Sequence, residues 1–479
     1  MLLPHLLFSI DTSIDTFYLL FTAAWIGPAL VASGHAVIYK RESRSASIWV
    51  ILLWLLPALG VLAYVLFGVN RVERKAARMR RRTPRHRTLS QQSGEPGTHF
   101  APLARLVGEV GGRPLLPGNS IEPLLNGVEA YPAMLEAIAG AQRSIMLASY
   151  IFDGDGVGAQ FVAALSAAQQ RGVEVRVLID DVSCRFSRHP ASKPLARTGV
   201  KLGIFNPPLF PARLHAANLR NHRKIMVVDG ALGFTGGMNI ARRYWRDSPD
   251  QAYRDLHFRL RGPVVAHLAE VFCDDWAFTT GERLIGEKWF PALAPAGGML
   301  ARGIESGPDE AFGRMRWAMI GALNAAQRSA RIVTPYFIPD STLISCLNAA
   351  ALRGVDVDIL LPEESDLPHV RWAAFGQLWQ VLDHGCHLFL RPGPFDHTKL
   401  MVIDGAYVLL GSSNWDARSL RLNFEFDVEC YSVELGAHLD GMVESRISQS
   451  RPYTLAQVNA RPLAIKLRDG VARLFAPYL

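Results

Sequence analysis

Cysteine is scarce and scattered in this chain. Its five residues, Cys184, Cys273, Cys346, Cys386 and Cys430, form no CxxC pair. An odd number without pairing spacing argues against a disulfide framework and a zinc site, and fits a reducing compartment. Charge is missing from two places. Residues 17–39 (FYLLFTAAWIGPALVASGHAVIY) and 47–68 (SIWVILLWLLPALGVLAYVLFG) contain no Asp, Glu, Lys or Arg. Roughly 20 apolar residues suffice for a helix across a bilayer, so the two runs predict an N-terminal transmembrane helical hairpin over residues 1–70. The second run is the clearer span. Gly27-Pro28 and Gly34-His35 predict a kink or a re-entrant bend in the first. Buried core helices are the competing reading, and length and missing charge count against it. No basic stretch precedes the first run, where Asp11 and Asp15 stand, so a signal peptide does not fit. Neither a P-loop nor a GxGxxG in strand-to-helix context is found, which removes the usual nucleotide-binding readings.

What is present is basic. The 479 residues carry a net charge of +8, with a pI near 9.3, a balance that suits anionic surfaces such as nucleic acid or phospholipid. Arg71, Arg74, Lys75, Arg78, Arg80, Arg81, Arg82, Arg85 and Arg87 follow the second apolar run. Such a cluster marks the cytoplasmic side of a span and suits anionic headgroups. Lys40, Arg41 and Arg44 between the runs weaken that orientation. Residues 83–100, rich in polar residues with Pro and Gly, read as linker, so 71–114 is expected to be a basic connecting segment.

An internal repeat begins near residue 115. AIAGAQRSIMLASYIF (137–152) matches ALNAAQRSARIVTPYFI (322–338), and AALSAAQQRGVEVRVLID (163–180) matches CLNAAALRGVDVDILLP (346–362). Each pairs an Ala/Leu-rich helix ending at Gly with a buried strand. The expectation is an α/β fold with a parallel or mixed sheet, in two copies spanning 115–299 and 300–479. The third repeated element is HRKIMVVDGALGFTGGMN (222–239) against HTKLMVIDGAYVLLGSSN (397–414). Each reads as strand, Asp-Gly turn and second strand, with the His and Lys on one face of the first. One His-Lys pair per copy predicts a single site on the axis between the copies.

His222 and His397 offer a nucleophile and a general acid/base near neutral pH. Lys224 and Lys399, with Asn239, Ser412 and Asn414, offer cations and donors for a phosphodiester, whose non-bridging oxygens gain charge in the transition state. The motifs hold no dense carboxylate cluster, so a two-metal mechanism is not supported and no metal or cofactor is expected. Asp255 (YRDLHFRL) and Glu425 (RLNFEFDVE) follow the motifs in matched strands and suit the second ring nitrogen of an imidazole. Asp229 and Asp404 stand at turns, where bonding to nearby backbone is the more ordinary role. His215, His257, His384 and His387 read as structural, and HGCH (384–387) supplies too few ligands for zinc.

The paired HxKxxxxD…G[SG]xN segments resemble those of the phospholipase D superfamily. RNHRKIMVVDG, GFTGGMNI, TPYFIPD, ALRGVDVDILLP and SLRLNFEFDVE, with the apolar hairpin, resemble its bacterial cardiolipin synthase branch over essentially the whole chain. The resemblance implies two pseudo-symmetric α/β/α domains sharing one active site. It counts His222, Lys224, Asp229, His397, Lys399 and Asp404 as catalytic. It implies transfer of a phosphatidyl group between two phosphatidylglycerol molecules through a phosphohistidine, with release of glycerol and no metal. The expected setting is the bacterial cytoplasmic membrane, multi-pass, with catalytic domains on the cytoplasmic side, a phospholipid substrate and no nucleic acid. Two departures stand out. Asp396 precedes His397 where many relatives carry an apolar residue, and Gly236-Gly237 faces Gly411-Ser412, so the halves differ as donors.

Three rival readings share these residues. A membrane hydrolase would use water as acceptor. A nuclease of the same superfamily would suit the charge but not the hairpin. A dead lipid-binding scaffold would predict one degraded motif, and both are intact. Two further segments carry expectations. Phe205, Leu209 and Phe210, among the prolines of 205–215, suit a stiff loop dipping into a bilayer or packing on the core. In the tail 462–479, Leu467, Val471, Leu474 and Phe475 form an apolar stripe beside Lys466, Arg468 and Arg473. That stripe is expected to pack on the second copy, with the membrane interface as the competing placement.

Overall fold

The structure is a computed structural model and describes residues 26–40, 43–68, 93–97, 99–206, 219–245, 251–309 and 311–476. The basic segment 71–92 and the loop residues Leu209 and Phe210 lie outside the described residues. The chain forms two compact units, Met1–Arg74 and Lys75–Leu479.

The first unit is a pair of antagonistic tendencies, helix-favouring leucines and helix-breaking Pro and Gly. Residues 26–39 are helical. The second apolar run, read above as one span, is instead helical in pieces: Ser43–Leu55, Pro57–Ala63 and a π turn at Tyr64–Gly68. Pro57 is the cause. It disfavours the α conformation at the residue before it, and Leu56 sits at φ −136°, ψ 70°. The break folds the second piece closely onto the first, so that a Cβ on Gly60 would stand 2.6 Å from the Leu52 carbonyl oxygen. Ala32, Ala36, Leu53 and Tyr64 form a small core, and His35 Nδ1 shares a 2.8 Å hydrogen bond with the Tyr64 hydroxyl. Val31, Val37, Ile38, Leu55, Leu59 and Leu62 face outward. Among the described residues no helix is long and apolar enough to cross a membrane.

The second unit is organised by one mixed sheet. Its strands are β1 (Leu116–Leu125), β2 (Ser144–Ser149), β3 (Glu174–Asp180), β4 (Lys201–Phe205), β5 (Arg220–Asn221), β6 (Ile225–Val228), β7 (Leu232–Gly236), β8 (Leu256–Arg261), β9 (Met299–Ser306), β10 (Ser329–Val333), β11 (Asp356–Pro362), β12 (His387–Arg391), β13 (Leu400–Ile403), β14 (Tyr407–Gly411), β15 (Asn423–Tyr431) and β16 (Arg451–Pro452). Outward from the central β1–β9 contact the order is β8-β7-β6-β2-β3-β4 on one side and β15-β14-β13-β10-β11-β12-β16 on the other. Each half therefore repeats the same strand order. Strand β1 joins them by changing partner along its length: Leu116 pairs with β9, while Ser120 to Leu125 pair with β8.

Local chemistry accounts for the repeat. Strands β2 and β3 pair in parallel and are almost wholly buried, as expected of strands covered on both faces. The helices Val157–Gln170 and Ser341–Leu352 end at Gly172 (φ 91°) and Gly354 (φ 90°), left-handed stops that release the chain into β3 and β11. Each half has its own apolar core, one around Phe161, Val177 and Phe234, the other around Leu347, Ile359 and Met401.

The C-terminal helix Leu463–Leu474 lies on the second copy, as expected, but with its other face inward. It packs against the helix Pro368–Phe375, but the stripe of Leu467, Val471, Leu474 and Phe475 points to solvent. Small residues and a buried carboxylate, Asp469, take the inner face instead.

Candidate active site

The two His-x-Lys tracts lie just before β6 and β13 rather than inside them. The strand pairing expected at the histidines is supplied by the opposite half. Strand β5 runs parallel to the start of β15, and His222 N donates to the Phe424 carbonyl at 2.9 Å. Conversely, His397 N donates to the Arg254 carbonyl at 2.7 Å, and Arg254 N to the Phe395 carbonyl at 2.9 Å. Each motif is thus pinned to the other copy by its own backbone. Within each motif the lysine folds back: Lys224 Nζ donates to the His222 carbonyl and Lys399 Nζ to the His397 carbonyl, both at 2.6 Å. A spacing of two does place both side chains together.

The carboxylates cross as well. His222 Nδ1 lies 2.9 Å from Glu425 Oε2, and His397 Nδ1 lies 2.9 Å from Asp255 Oδ2. Each imidazole is held by the copy that does not carry it. Both carboxylates are wholly buried, and the histidines retain 8% and 6% exposure, enough for one edge to meet a substrate.

The two pairs are not equivalent. Glu425 also accepts from the Ser412 hydroxyl at 2.6 Å and from Asn423 Nδ2 at 3.2 Å. Burial alone would raise its carboxyl. The His222 imidazole, Lys224 and that hydroxyl outweigh burial and hold it below the usual range. Asp255 has no such hydroxyl, because Gly237 stands where Ser412 would be. A Cβ on Gly237 would fall 2.3 Å from Asp255 Oδ1. Asp255 is pushed up to about 8, burial being the main cause. His397 Nδ1 is meanwhile ringed by donors: the Tyr244 hydroxyl at 3.1 Å and Lys399 Nζ at 3.0 Å.

Burial lowers every base in the site. His222 falls to about 4, and His397 falls well below its ordinary value, with the neighbouring lysines adding to burial. Both imidazoles are neutral at pH 7. Lys224 falls to about 7 and Lys399 to about 8, again by burial.

Asp229 and Asp404 require correction. They sit beyond β6 and β13, at the far end of each hairpin from the histidines, with φ of 52° and 54°. Asp229 accepts from the backbone N–H groups of Gln142, Arg143 and Ser144. Asp404 accepts from those of Gln327, Arg328 and Ser329, and from His99 Nε2 at 3.0 Å. These carboxylates tie the hairpin turns to the starts of β2 and β10 and touch no reacting group. Asn239 is also engaged structurally, through Ile151 N and the Tyr244 hydroxyl. Asn414 Oδ1 is buried without a protein partner.

Asp396 has a structural account. It is buried and paired with Arg391, and lies 3.5 Å from Arg446; the arginines hold its carboxyl low against burial. The first copy solves the same problem with reversed charge. There Arg223, inside the motif, pairs with Asp275 at 2.7 Å on the helix Val265–Thr280, while Arg446 sits on the corresponding helix Val433–Ser448. Each arrangement fixes the backbone next to a histidine.

The motif segments match the family model described as cardiolipin synthase, PLD-like domain, over residues 134–276 and 319–447. The major cardiolipin synthase of Bacillus subtilis (strain 168) is 30% identical over 465 residues, covering 92% of this chain and 96% of that protein. Cardiolipin synthase A of Pseudomonas aeruginosa (strain LESB58) is 31% identical over 460 residues, 94% of each. The chain belongs to the cardiolipin synthase family of phospholipase D-like proteins. The crystal structure of phosphatidylserine synthase from Haemophilus influenzae Rd KW20 shares the fold, with a TM-score of 0.60 at 15% identity, covering 79% of this chain and 100% of that one.

Sequence reasoning missed several groups in this cardiolipin synthase-like site. Tyr150 stacks edge-on against His222 with centroids 4.9 Å apart, and Tyr336 against His397 at 6.3 Å. The matched SYIF and PYFI segments carried that signal. Tyr244 gave none, since it has no counterpart in the repeat. Among the described residues, the one metal-compatible group is Asp356, Asp358 and His387. It lies at the starts of β11 and β12, where Arg331 Nη1 already pairs with both carboxylates at 2.9 and 2.6 Å.

The lysine values set a pH dependence. An ammonium whose pKa is lowered keeps its charge below that pKa and loses it earlier than usual as pH rises. With lysines near 7 and 8, kcat/KM for an anionic phosphodiester should fall from about pH 7 upward, through apparent KM. A bound phosphate restores the charge, so kcat should hold to higher pH. Initial rates on a short-chain substrate across this range test it; a KM independent of pH up to about 9 would contradict the values.

Proposed function

We propose that this protein is a cardiolipin synthase acting on phosphatidylglycerol. The observation that carries this is the buried pair of histidines, each held by a carboxylate from the opposite copy and flanked by a lysine. Such a site suits a two-step phosphodiester exchange. In the first step His222 Nε2 attacks phosphorus. The bond from phosphorus to the glycerol oxygen breaks, and His397 Nε2–H protonates that oxygen while the protonated Asp255 carboxyl passes its proton to His397 Nδ1, so the ring stays neutral. In the second step His397 Nε2 takes the proton from a hydroxyl of a second phosphatidylglycerol, and Nδ1 returns its proton to Asp255. The alkoxide attacks phosphorus, the bond to His222 breaks, and cardiolipin is released.

The division of labour follows from the ring nitrogens. Ionised Glu425 accepts a hydrogen bond from His222 Nδ1–H, which leaves the Nε2 lone pair free. The donors around His397 Nδ1 favour the opposite tautomer, with hydrogen on Nε2. Lys224 and Lys399 neutralise the non-bridging oxygens. Ser412 acts through Glu425 rather than on the phosphate. The N-terminal unit, with its outward apolar side chains, serves as a membrane anchor, and the basic segment after it favours the cytoplasmic side for the catalytic unit.

The test is purified full-length protein with phosphatidylglycerol vesicles, products resolved by mass. Cardiolipin and glycerol in equal amounts are expected, undiminished by EDTA. Phosphatidic acid as the sole lipid product would overturn the transferase in favour of a hydrolase.

A further inference from the structure

The C-terminal helix Leu463–Leu474 has two apolar faces. The inner one is small: Ala472 and Ala476 pack on Ile338, Val370, Ala373 and Ala374. It is anchored by the buried Asp469 carboxylate, which accepts from Arg461 and from Arg468 at 2.7 Å each. The outer face is large. Leu463, Leu467, Val471, Leu474 and Phe475 are exposed by 73, 61, 55, 73 and 57%. At about 100° per residue these five project from one side of the helix. Single exposed leucines are ordinary, but five on one face form a surface that needs a partner.

The charge around this face indicates which partner. Lys466, Arg468 and Arg473 on the same helix are exposed. Beside the helix opens a cavity of about 350 Å³ whose lining includes Arg371, Arg451, Arg461 and Arg468 with Trp372 and Tyr453. Asp469 is its one acidic lining residue among the described residues, and two arginines already neutralise it; Arg451 is paired with Glu363 just outside. A second copy docked face to face would oppose these cations to themselves, a costly arrangement. An anionic lipid surface complements both the apolar stripe and the cations. Arg371 and Phe375 also line a smaller cleft that includes Tyr336, the ring against His397.

We propose that this helix lies in the interface of an anionic phospholipid bilayer. Its outer stripe sits among acyl chains, and the arginine-lined cavity takes a lipid phosphate. The choice of lipid over other anionic surfaces rests on the phospholipid substrate proposed above. The helix is a second docking point on the catalytic unit, separate from the N-terminal apolar unit.

The test uses full-length protein on a Cys184→Ala/Cys346→Ala background, with an environment-sensitive fluorophore on Leu467→Cys, Val471→Cys or, as control, Leu352→Cys, which is 72% exposed elsewhere. Each is reconstituted in vesicles containing phosphatidylglycerol and phosphatidylcholine brominated in its acyl chains. Quenching at 467 and 471 should exceed that at 352 several-fold, and should weaken in Lys466→Glu/Arg473→Glu protein. Equal quenching at all three sites, or contact between labels of two copies without quenching, would overturn the proposal. Cardiolipin formation from short-chain lipid is scored in the same samples. Turnover without quenching removes the docking helix alone; quenching without turnover removes the proposed activity alone.

Discussion

Alanine at His222 should abolish both turnover and the covalent intermediate, a loss of at least about 10⁴-fold. Alanine at His397 should cost as much on phosphatidylglycerol, but for a different reason. His397 supplies the proton that lets a poor alkoxide leaving group depart. A nitrophenyl ester of phosphatidic acid needs no such proton. With that substrate His397→Ala should still give a stoichiometric burst of nitrophenolate and a trapped phosphatidyl-enzyme, whereas His222→Ala gives neither. The label should map to the peptide carrying His222. Recovery of the label on His397 would reverse the assignment, which rests on the donors around His397 Nδ1 and the ionised carboxylate at His222 Nδ1.

The second large effect is expected at the carboxylates, and it should be unequal. Glu425→Gln places an amide N–H against His222 Nδ1, which forces hydrogen onto Nε2 and removes the nucleophilic lone pair. A fall of about 10³- to 10⁴-fold in the burst rate follows, comparable to a triad aspartate changed to asparagine. Asp255→Asn should lower that burst only about 10-fold, because a nitrophenolate leaves without a proton from His397, whereas turnover of phosphatidylglycerol should fall about 10²- to 10³-fold, because an amide cannot pass a proton to Nδ1. Melting temperatures measured alongside separate a folding loss from a chemical one. Equal losses of burst rate in the two variants, with folding intact, would sink the asymmetric reading.

The asymmetry has a counterpart in the sequence. One copy carries Ser412, whose hydroxyl reaches Glu425; the other carries Gly237, whose missing side chain leaves room for Asp255. A duplicated motif began with two equal halves in pattern. The Ser412 hydroxyl adds to the His222 imidazole and Lys224, which hold Glu425 low, while burial raises Asp255.

Much of this was legible in the chain. Hydrophobic runs, Asp-Gly turns and Gly helix stops are local signals, and they announce β6–β7, β13–β14 and the paired helices because short-range sterics decide them. The repeat spacing announced two copies, and His-x-Lys in an extended tract placed ring and ammonium together, since side chains two apart share a face. Asp229 and Asp404 fell to structural duty for an equally local reason: each turn carboxylate lies next to a row of backbone N–H groups that need acceptors. Other features depend on distant contacts and had no local signature. That Glu425 serves His222 and Asp255 serves His397 follows from β5 crossing to β15 and Arg254 crossing to Phe395. Periodicity showed the stripe on the C-terminal helix but not its direction. Asp469, paired with two arginines, and the small side chains beside it took the inner face, and the large residues were turned outward. Sequence by itself determined the elements and the chemical inventory, because those are set within a few residues. Tertiary structure decided which carboxylate tunes which imidazole and which face of the last helix is left exposed, because burial and through-space charge depend on neighbours brought from far along the chain.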